Sequence, residues 1–233
     1  MTQPKKITAA AIQVEARVAD ISWNIEHASR LVDEAVAKGA ALVALPEFFT
    51  TCIIYDERVF ECSLPPDNPA LDMLKAKAMR HRIHIGGSYL EMRNGDVYNT
   101  YVLVEPDGTV HRHDKDLPTM VENAFYVGGS DSGLMRLRGK VGLLMTGSHW
   151  WSEPGWKWPA EYWRRFHEGN GRMMARTPGL FAGLIGAPLL HAGHASIIEG
   201  GLLTVPGTRL SVPMRTQLMG ETQIIDGAGN LLQ

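Results

Sequence analysis

The chain has 233 residues, 45% apolar and 21% charged, a balance that excludes disordered, collagen-like and coiled-coil proteins. A length of this order suits one α/β domain, residues 1–233, whose core needs no covalent staples. Against 25 Asp and Glu stand 23 Lys and Arg, net −2, with no block of one sign, so the basic stripe that nucleic acid or an anionic membrane would want is missing.

Met1–Lys6 is polar and lacks the apolar centre of a signal peptide. Ile7–Val14 reads as a buried first strand. Ile25, Ala28, Leu31, Val32, Ala35 and Val36 follow at helical spacing, with Asp20 or Ser22 to cap the start and Gly39 to end it. Ala41–Leu45 is a second short apolar strand that runs into Pro46-Glu47, so the opening is a βαβ unit with a parallel strand pair. Ala70–His81 reads as helix, and the stretch that follows, as far as Tyr89, as strand. Val97–Val104 and Thr109–Arg112 flank Glu105-Pro106-Asp107-Gly108, a strong hairpin signal.

Lys115–Met135 reads as a long ordered loop and Val141–Met145 as another buried strand. Pro159–Ile185 is helical with a break at Pro178-Gly179. The longest apolar stretch, Pro178–Leu190, has only 13 residues and is too short to span a bilayer. Ser196–Gln233 reads as short strands closed by the turn Gly227-Ala228-Gly229. The sequence displays no internal repeat, low-complexity linker or domain boundary.

In open α/β sheets functional groups gather at the carboxyl ends of strands, and Glu47 stands at such an end. A carboxylate beside an apolar strand end is partly desolvated, which moves it toward a general base; alone it reads equally as a solvated loop residue. Lys115 and Glu122, taken singly, read as surface residues.

Leu45-Pro46-Glu47-Phe48, taken with Lys115-Asp116-Leu117-Pro118, Glu122 and Gly128-Gly129, resembles the nitrilase superfamily of carbon–nitrogen hydrolases. Ile7–Gln13, Gly86-Gly87-Ser88-Tyr89, Tyr98-Asn99-Thr100 and Gln223–Gly229 extend the resemblance over nearly the whole chain. It implies an α/β fold, the αββα sandwich of the carbon–nitrogen hydrolase type, paired as a homodimer or higher homo-oligomer. It implies hydrolysis of a small amide, nitrile or carbamoyl compound by a Glu–Lys–Cys site, with no metal and no organic cofactor. Glu47 is then the general base that takes the thiol proton, Lys115 the cation that stabilises the oxyanion, and Glu122 the second glutamate that orients substrate. A thioester or thioimidate forms and water hydrolyses it.

The family's cysteine stands at a strand end on a sharp turn before a helix, and this chain has none there. One placement sets Thr146, after Val141-Gly142-Leu143-Leu144-Met145, at the cysteine position; a hydroxyl there is a far poorer nucleophile than a thiol. The other, preferred, takes Thr146-Gly147-Ser148-His149-Trp150-Trp151 as the next unit of the fold, so that one βα unit is lacking between Gly129 and Arg138. Against the family the chain also looks short after Gly229. Cys52 and Cys62 read as buried structural thiols rather than nucleophiles, and with 11 Met they suit a reducing cytoplasm. Five of the six Trp fall between Trp150 and Trp163 and read as core or subunit packing, or else as an aromatic pocket wall. His111 with His113, and His191 with His194, lack the acidic or Cys ligands of a metal site. Ser148 beside His149 is no triad, because neighbours in sequence rarely face each other and no nucleophile elbow surrounds them. The expectation is an impaired carbon–nitrogen hydrolase. The alternative is an inactive relative serving as a binding or assembly module.

Overall fold

A computed structural model describes residues 7–54, 56–119, 122–131, 142–149, 151–154, 160–205 and 208–233, with side chains left out of account at 151–154, 160–163 and 166. The first strand, β1 (Ala9–Ala11), is shorter than its apolar run. Val14 makes only an isolated parallel bridge, to His194. Helix α1 (Ile21–Ala37) starts at Asp20, whose carboxylate accepts from the Trp23 amide at 3.2 Å, so Asp20 rather than Ser22 is the cap. β2 (Leu42–Ala44), a short 3₁₀ helix Glu57–Glu61 and α2 (Pro69–His81) follow. Asn68 caps α2, accepting from the Leu71 amide at 2.9 Å.

β3 (His84–Arg93) runs four residues past Tyr89, pairs antiparallel with β4 (Asp96–Val104), and β4 pairs with β5 (Val110–Asp114) across the expected hairpin. Of the long loop after β5, Glu122–Ala124 forms one 3₁₀ turn, and residues 132–135 lie outside the described part.

β6 (Leu144–Ser148) begins three residues later than the apolar run suggests; Val141 lies outside the described residues. β7 (Trp151–Pro154) precedes α3 (Ala160–Ile185). α3 continues through Pro178, so the expected break is wrong: the helix is held by Ala182 packing on the sheet below, and proline forfeits one turn's hydrogen bond without ending it. β8 (Leu189–Gly193), hidden in the apolar stretch that the sequence leaves without structure, is a fully buried strand. β9 (Ile197–Leu203), β10 (Ser211–Leu218) and β11 (Gln223–Ile225) complete the chain.

The strands form a five-stranded sheet, β1-β2-β3-β4-β5, a three-stranded sheet, β11-β8-β6, and a smaller sheet, β7-β10-β9. Alternation along β2 decides the layering. Val43 joins Ala28, Val32, Leu71 and Leu74 under α1 and α2, while Leu42 and Ala44 meet Met145, Leu190 and Ala192 of the second sheet. On the far side Leu144, Leu189 and Ile225 pack against Ala182 of α3. The order is helices, sheet, sheet, helix, the αββα sandwich the resemblance implies.

The second sheet repeats part of the first, a repeat the sequence does not display. β2 pairs parallel with β3 after α2, and β3 antiparallel with β4. β6 likewise pairs parallel with β8 after α3, and β8 antiparallel with β11. β1 lies parallel on the other side of β2; among the described residues no strand flanks β6 there. No described helix is long and apolar enough to cross a membrane.

Candidate active site

Glu47 follows β2 on a turn that the local backbone over-determines. Phe48, fully buried, holds φ at 54°, a left-handed conformation costly for a bulky residue. Its amide donates to Ser88 Oγ at 3.1 Å and the Phe49 amide to the Ser88 carbonyl at 3.0 Å, so β3 fixes the turn. On the other side β6 presses against it. A Cβ at Gly147 would strike the Pro46–Glu47 peptide, so only glycine lets the two strand ends meet. Gly128 does the same for the lysine: a Cβ there would strike the Asp116 carbonyl, and the Gly129 amide donates to the Lys115 carbonyl at 3.0 Å.

These constraints bring Glu47, Lys115 and Glu122 together. Lys115 Nζ donates to Glu47 Oε1 at 3.1 Å and to Glu122 Oε1 and Oε2 at 3.0 and 2.9 Å. Asn99 Nδ2 donates to the same Glu47 Oε1 at 2.7 Å. Glu122 also accepts from the Thr119 amide at 2.7 Å. Both contacts of Glu47 therefore fall on Oε1, and Oε2 is the oxygen without a hydrogen bond among the described residues. Side-chain exposures of 16% for Glu47, 12% for Glu122 and 31% for Lys115 make the lysine the open side of the cluster.

The three charges are tuned apart. Burial, reinforced by the charge of Glu122, raises the Glu47 carboxyl above its ordinary value even though Lys115 opposes it. Burial alone would lower the Lys115 ammonium, but Glu47 and Glu122 outweigh it and hold the lysine above its ordinary value. For Glu122 burial is likewise overcome, by the Thr119 amide and Lys115, and its carboxyl is lowered. One carboxyl is thus poised to take a proton beside a firmly charged cation and a firmly charged acid.

Thr146 is not brought to this cluster. Along β6, Met145 and Gly147 face the first sheet, so Thr146 and Ser148 face α3. There Thr146 Oγ1 meets His191 Nδ1 at 2.9 Å and Ser148 Oγ meets His191 Nε2 at 3.0 Å. Neither thiol reaches the cluster. Cys52 packs among Ala16, Ile54, Ile198, Met214 and Leu218, where burial pushes its thiol far up. Cys62 Sγ contacts the Arg58 carbonyl at 3.3 Å and Thr51 Oγ1 at 3.7 Å.

Sequence reasoning missed four neighbours of the cluster. Asn99 lay in a quoted segment but carried no role. Tyr126 sits by Glu122 and Asn99, and burial with the charge of Glu122 raises its phenol. His194 Nε2 meets the Glu47 carbonyl at 2.6 Å. His149 stacks edge-on to Phe48 and His194, with centroids 6.0 and 5.3 Å away. Strand alternation past Gly147 was the signal for His149, and it needed the register of β6. The paired histidines do not converge as metal ligands: His111 bonds Glu105 at 2.6 Å, and His191 and His194 go to separate partners. Among the described residues His113, Asp116 and Asp131 alone group at ligand distances, and His113 is already bonded to Asp131 at 2.6 Å. The tryptophans from Trp150 to Trp163 lie outside the residues whose side chains are described.

The sequence and the αββα fold are matched by known proteins. The model of the carbon-nitrogen hydrolase family fits residues 8–154. The chain belongs to the carbon–nitrogen hydrolase family. The N-carbamoylputrescine amidase of Arabidopsis thaliana is 31% identical over 146 residues, 58% of this chain and 48% of that protein. The arylacetonitrilase of Hypocrea virens is 28% identical over 163 residues, 63% and 50% of the two chains. This carbon–nitrogen hydrolase chain thus spans about half the length of the curated relatives it matches. Two solved structures share its fold. A cysteine-to-alanine mutant of the Nesterenkonia AN1 amidase has a TM-score of 0.70 at 17% identity, covering 97% of this chain and 85% of that one. The superfamily protein XC1258 of Xanthomonas campestris has a TM-score of 0.67 at 17% identity, covering 97% and 84%.

Proposed function

We propose that this chain binds a small amide, nitrile or carbamoyl compound at Glu47, Lys115 and Glu122, and that its hydrolysis of such a compound is impaired for want of a thiol. One observation carries the reading: the charged cluster is assembled and tuned, yet both cysteines lie in other packing environments. The relatives' names, an amidase and a nitrilase, support the ligand class. Glu47 Oε2 is the atom placed to take a proton from an attacking group. The Lys115 ammonium faces the oxygen or nitrogen on which negative charge develops, and Glu122 keeps that ammonium charged and oriented. A missing βα unit before β6 accounts for the absent thiol better than substitution at Thr146, whose hydroxyl faces α3.

The same observation favours a second reading, a binding or assembly module without turnover. Leu180, Phe181, Leu184 and Ile185 on α3 are exposed, with Leu231 and Leu232 also exposed at the chain's end, and they support a homodimer formed through apolar surface. The free thiols Cys52 and Cys62 fit a cytoplasmic home. Ammonia release from a panel of primary amides, nitriles and N-carbamoyl amines, run beside calorimetric binding, separates the two readings. Slow release that Glu47→Gln abolishes supports an impaired hydrolase. Saturable binding without release supports the module, and no binding by any member refutes both.

A further inference from the structure

The partners of the cluster are not evenly spent. Lys115 directs its donors at Glu47 and Glu122, and the Asn99 amide nitrogen is committed to Glu47. Among the described residues the buried Tyr126 hydroxyl and Asn99 Oδ1 have no partner, and the remaining open atoms are acceptors. Glu47 Oε2 is one. A second lies on His149, which continues the face of β6 that Met145 and Gly147 turn toward the first sheet. Its ring stacks edge-on against Phe48, the residue after Glu47, and against His194, which meets the Glu47 carbonyl at 2.6 Å.

Nε2 of that ring is buried and has no partner among the described residues. In a neutral imidazole one nitrogen carries the proton, and a buried nitrogen without a partner is better left as the lone pair, which puts the proton on Nδ1. Nε2 then carries the lone pair. Burial first, then the His194 ring, keep the imidazole neutral well below its ordinary value, so the atom stays an acceptor at neutral pH. A buried acceptor without a donor is unfavourable, and a ligand that supplies one relieves it.

We propose that His149 Nε2, together with Glu47 Oε2, selects a ligand that brings N–H donors, so that the site takes a primary amide or carbamoyl group in preference to a nitrile. The inference rests on the reading that Glu47, Lys115 and Glu122 hold the ligand. A –NH₂ group offers its two donors to Glu47 Oε2 and His149 Nε2 while its carbonyl oxygen turns to Lys115. A nitrile nitrogen is only an acceptor, can engage Lys115, and leaves Nε2 unpaired. The discrimination comes from a polar atom left unmatched, the device by which a site built to receive a donor rejects an analogue lacking it.

The test uses the full chain labelled with ¹⁵N-histidine and titrated separately with propionamide and propionitrile, the His149 signals being those lost in His149→Gln. Propionamide is expected to shift Nε2 toward the position of a hydrogen-bonded nitrogen, and propionitrile to leave it. His149→Phe, which keeps a ring against Phe48, is expected to weaken propionamide about five- to tenfold while sparing propionitrile, and His149→Gln, which restores an acceptor, to recover most of the loss. Saturable binding that Lys115→Met removes, with Nε2 unmoved and His149→Phe indifferent to the amide, overturns the role of His149 and leaves the ligand site standing. Failure of both compounds to bind a cooperatively folded chain overturns the site and this inference together.

Discussion

The two halves of the sandwich share a connectivity but do different work. The first carries a continuous apolar core from Ile12 to Val104 under two capped helices, and it supplies Glu47, Asn99, Lys115 and Glu122. The second has, among the described residues, a smaller core at Ala182, Leu189 and Ile225, and it brings the buried histidines His149, His191 and His194 to the sheet ends. Charge is thus mounted on the half with the larger described core. That is the physically sensible arrangement, because a buried ion cluster holds its geometry only if its scaffold cannot relax. The half in which, among the described residues, β1 has no counterpart contributes uncharged ring nitrogens instead.

The sharpest way to break this contrast is to open both cores. Phe49→Ala removes a fully buried ring packed on Tyr89 at 6.2 Å and should cost about 3–5 kcal/mol, read from urea unfolding. Leu189→Ala should cost about 2–3 kcal/mol, because a smaller cluster collapses more easily into the space. Equal costs would mean the second core is as tightly determined as the first.

The next effect belongs to the second half. Burial holds His191 and His194 down to about 4, whereas in the unfolded chain a histidine titrates near its ordinary value of 6.5. Between those values the unfolded chain binds protons that the folded chain refuses. Stability is therefore full above about pH 6.5 and falls as the pH drops toward 4, by roughly 3 kcal/mol for each of the two histidines. His191→Gln should flatten part of that limb, and an unchanged limb would locate the acid sensitivity elsewhere.

The first half was legible in the sequence because its signals are local: βαβ spacing, two cap residues, a four-residue hairpin turn and Pro46-Glu47 at a strand end. The second half was less so. β8 is buried on both faces and reads as a featureless apolar run, and Pro178 sits in a helix whose packing overrides it. Glu47, Lys115 and Glu122 were found through resemblance and do meet. Thr146 was misdirected because a one-residue register difference in β6 turns a side chain to the opposite face. His149 was set aside for the same reason, since only the register puts it on the Glu47 side.

A smaller change probes the charged cluster itself. Lys115→Met leaves Glu47 and Glu122 facing each other without a cation and should cost about 2 kcal/mol, toward the low end for a buried network because the lysine is partly exposed. Adding Glu122→Gln should recover part of that, a coupling a double-mutant cycle measures. The raised lysine makes the stabilisation complete below the ordinary lysine value, and it is lost as the pH climbs through the folded one. The gap between wild type and Lys115→Met should therefore close in strong alkali, and a gap independent of pH would assign the cost to lost packing by the lysine stem.

The smallest effect tests whether the first half's rigidity extends to its helix ends. Asp20 caps α1 through the Trp23 amide, and Asn24 in the first turn is fully buried, bonding the Arg17 amide and carbonyl at 2.8 and 2.7 Å and the Thr50 carbonyl at 3.0 Å. The helix start is therefore tied both to the loop leaving β1 and to the turn beyond Glu47. Asp20→Ala should cost about 1 kcal/mol, the ordinary value of a lost cap, because the three bonds of Asn24 hold the first turn in place. If the start instead depends on the cap, the loss should spread to the Thr50 segment, and amide exchange at Phe49 and Thr51 should quicken along with α1. Unchanged exchange there would show that the turn carrying Glu47 is fixed by β3, through Ser88, independently of the helix.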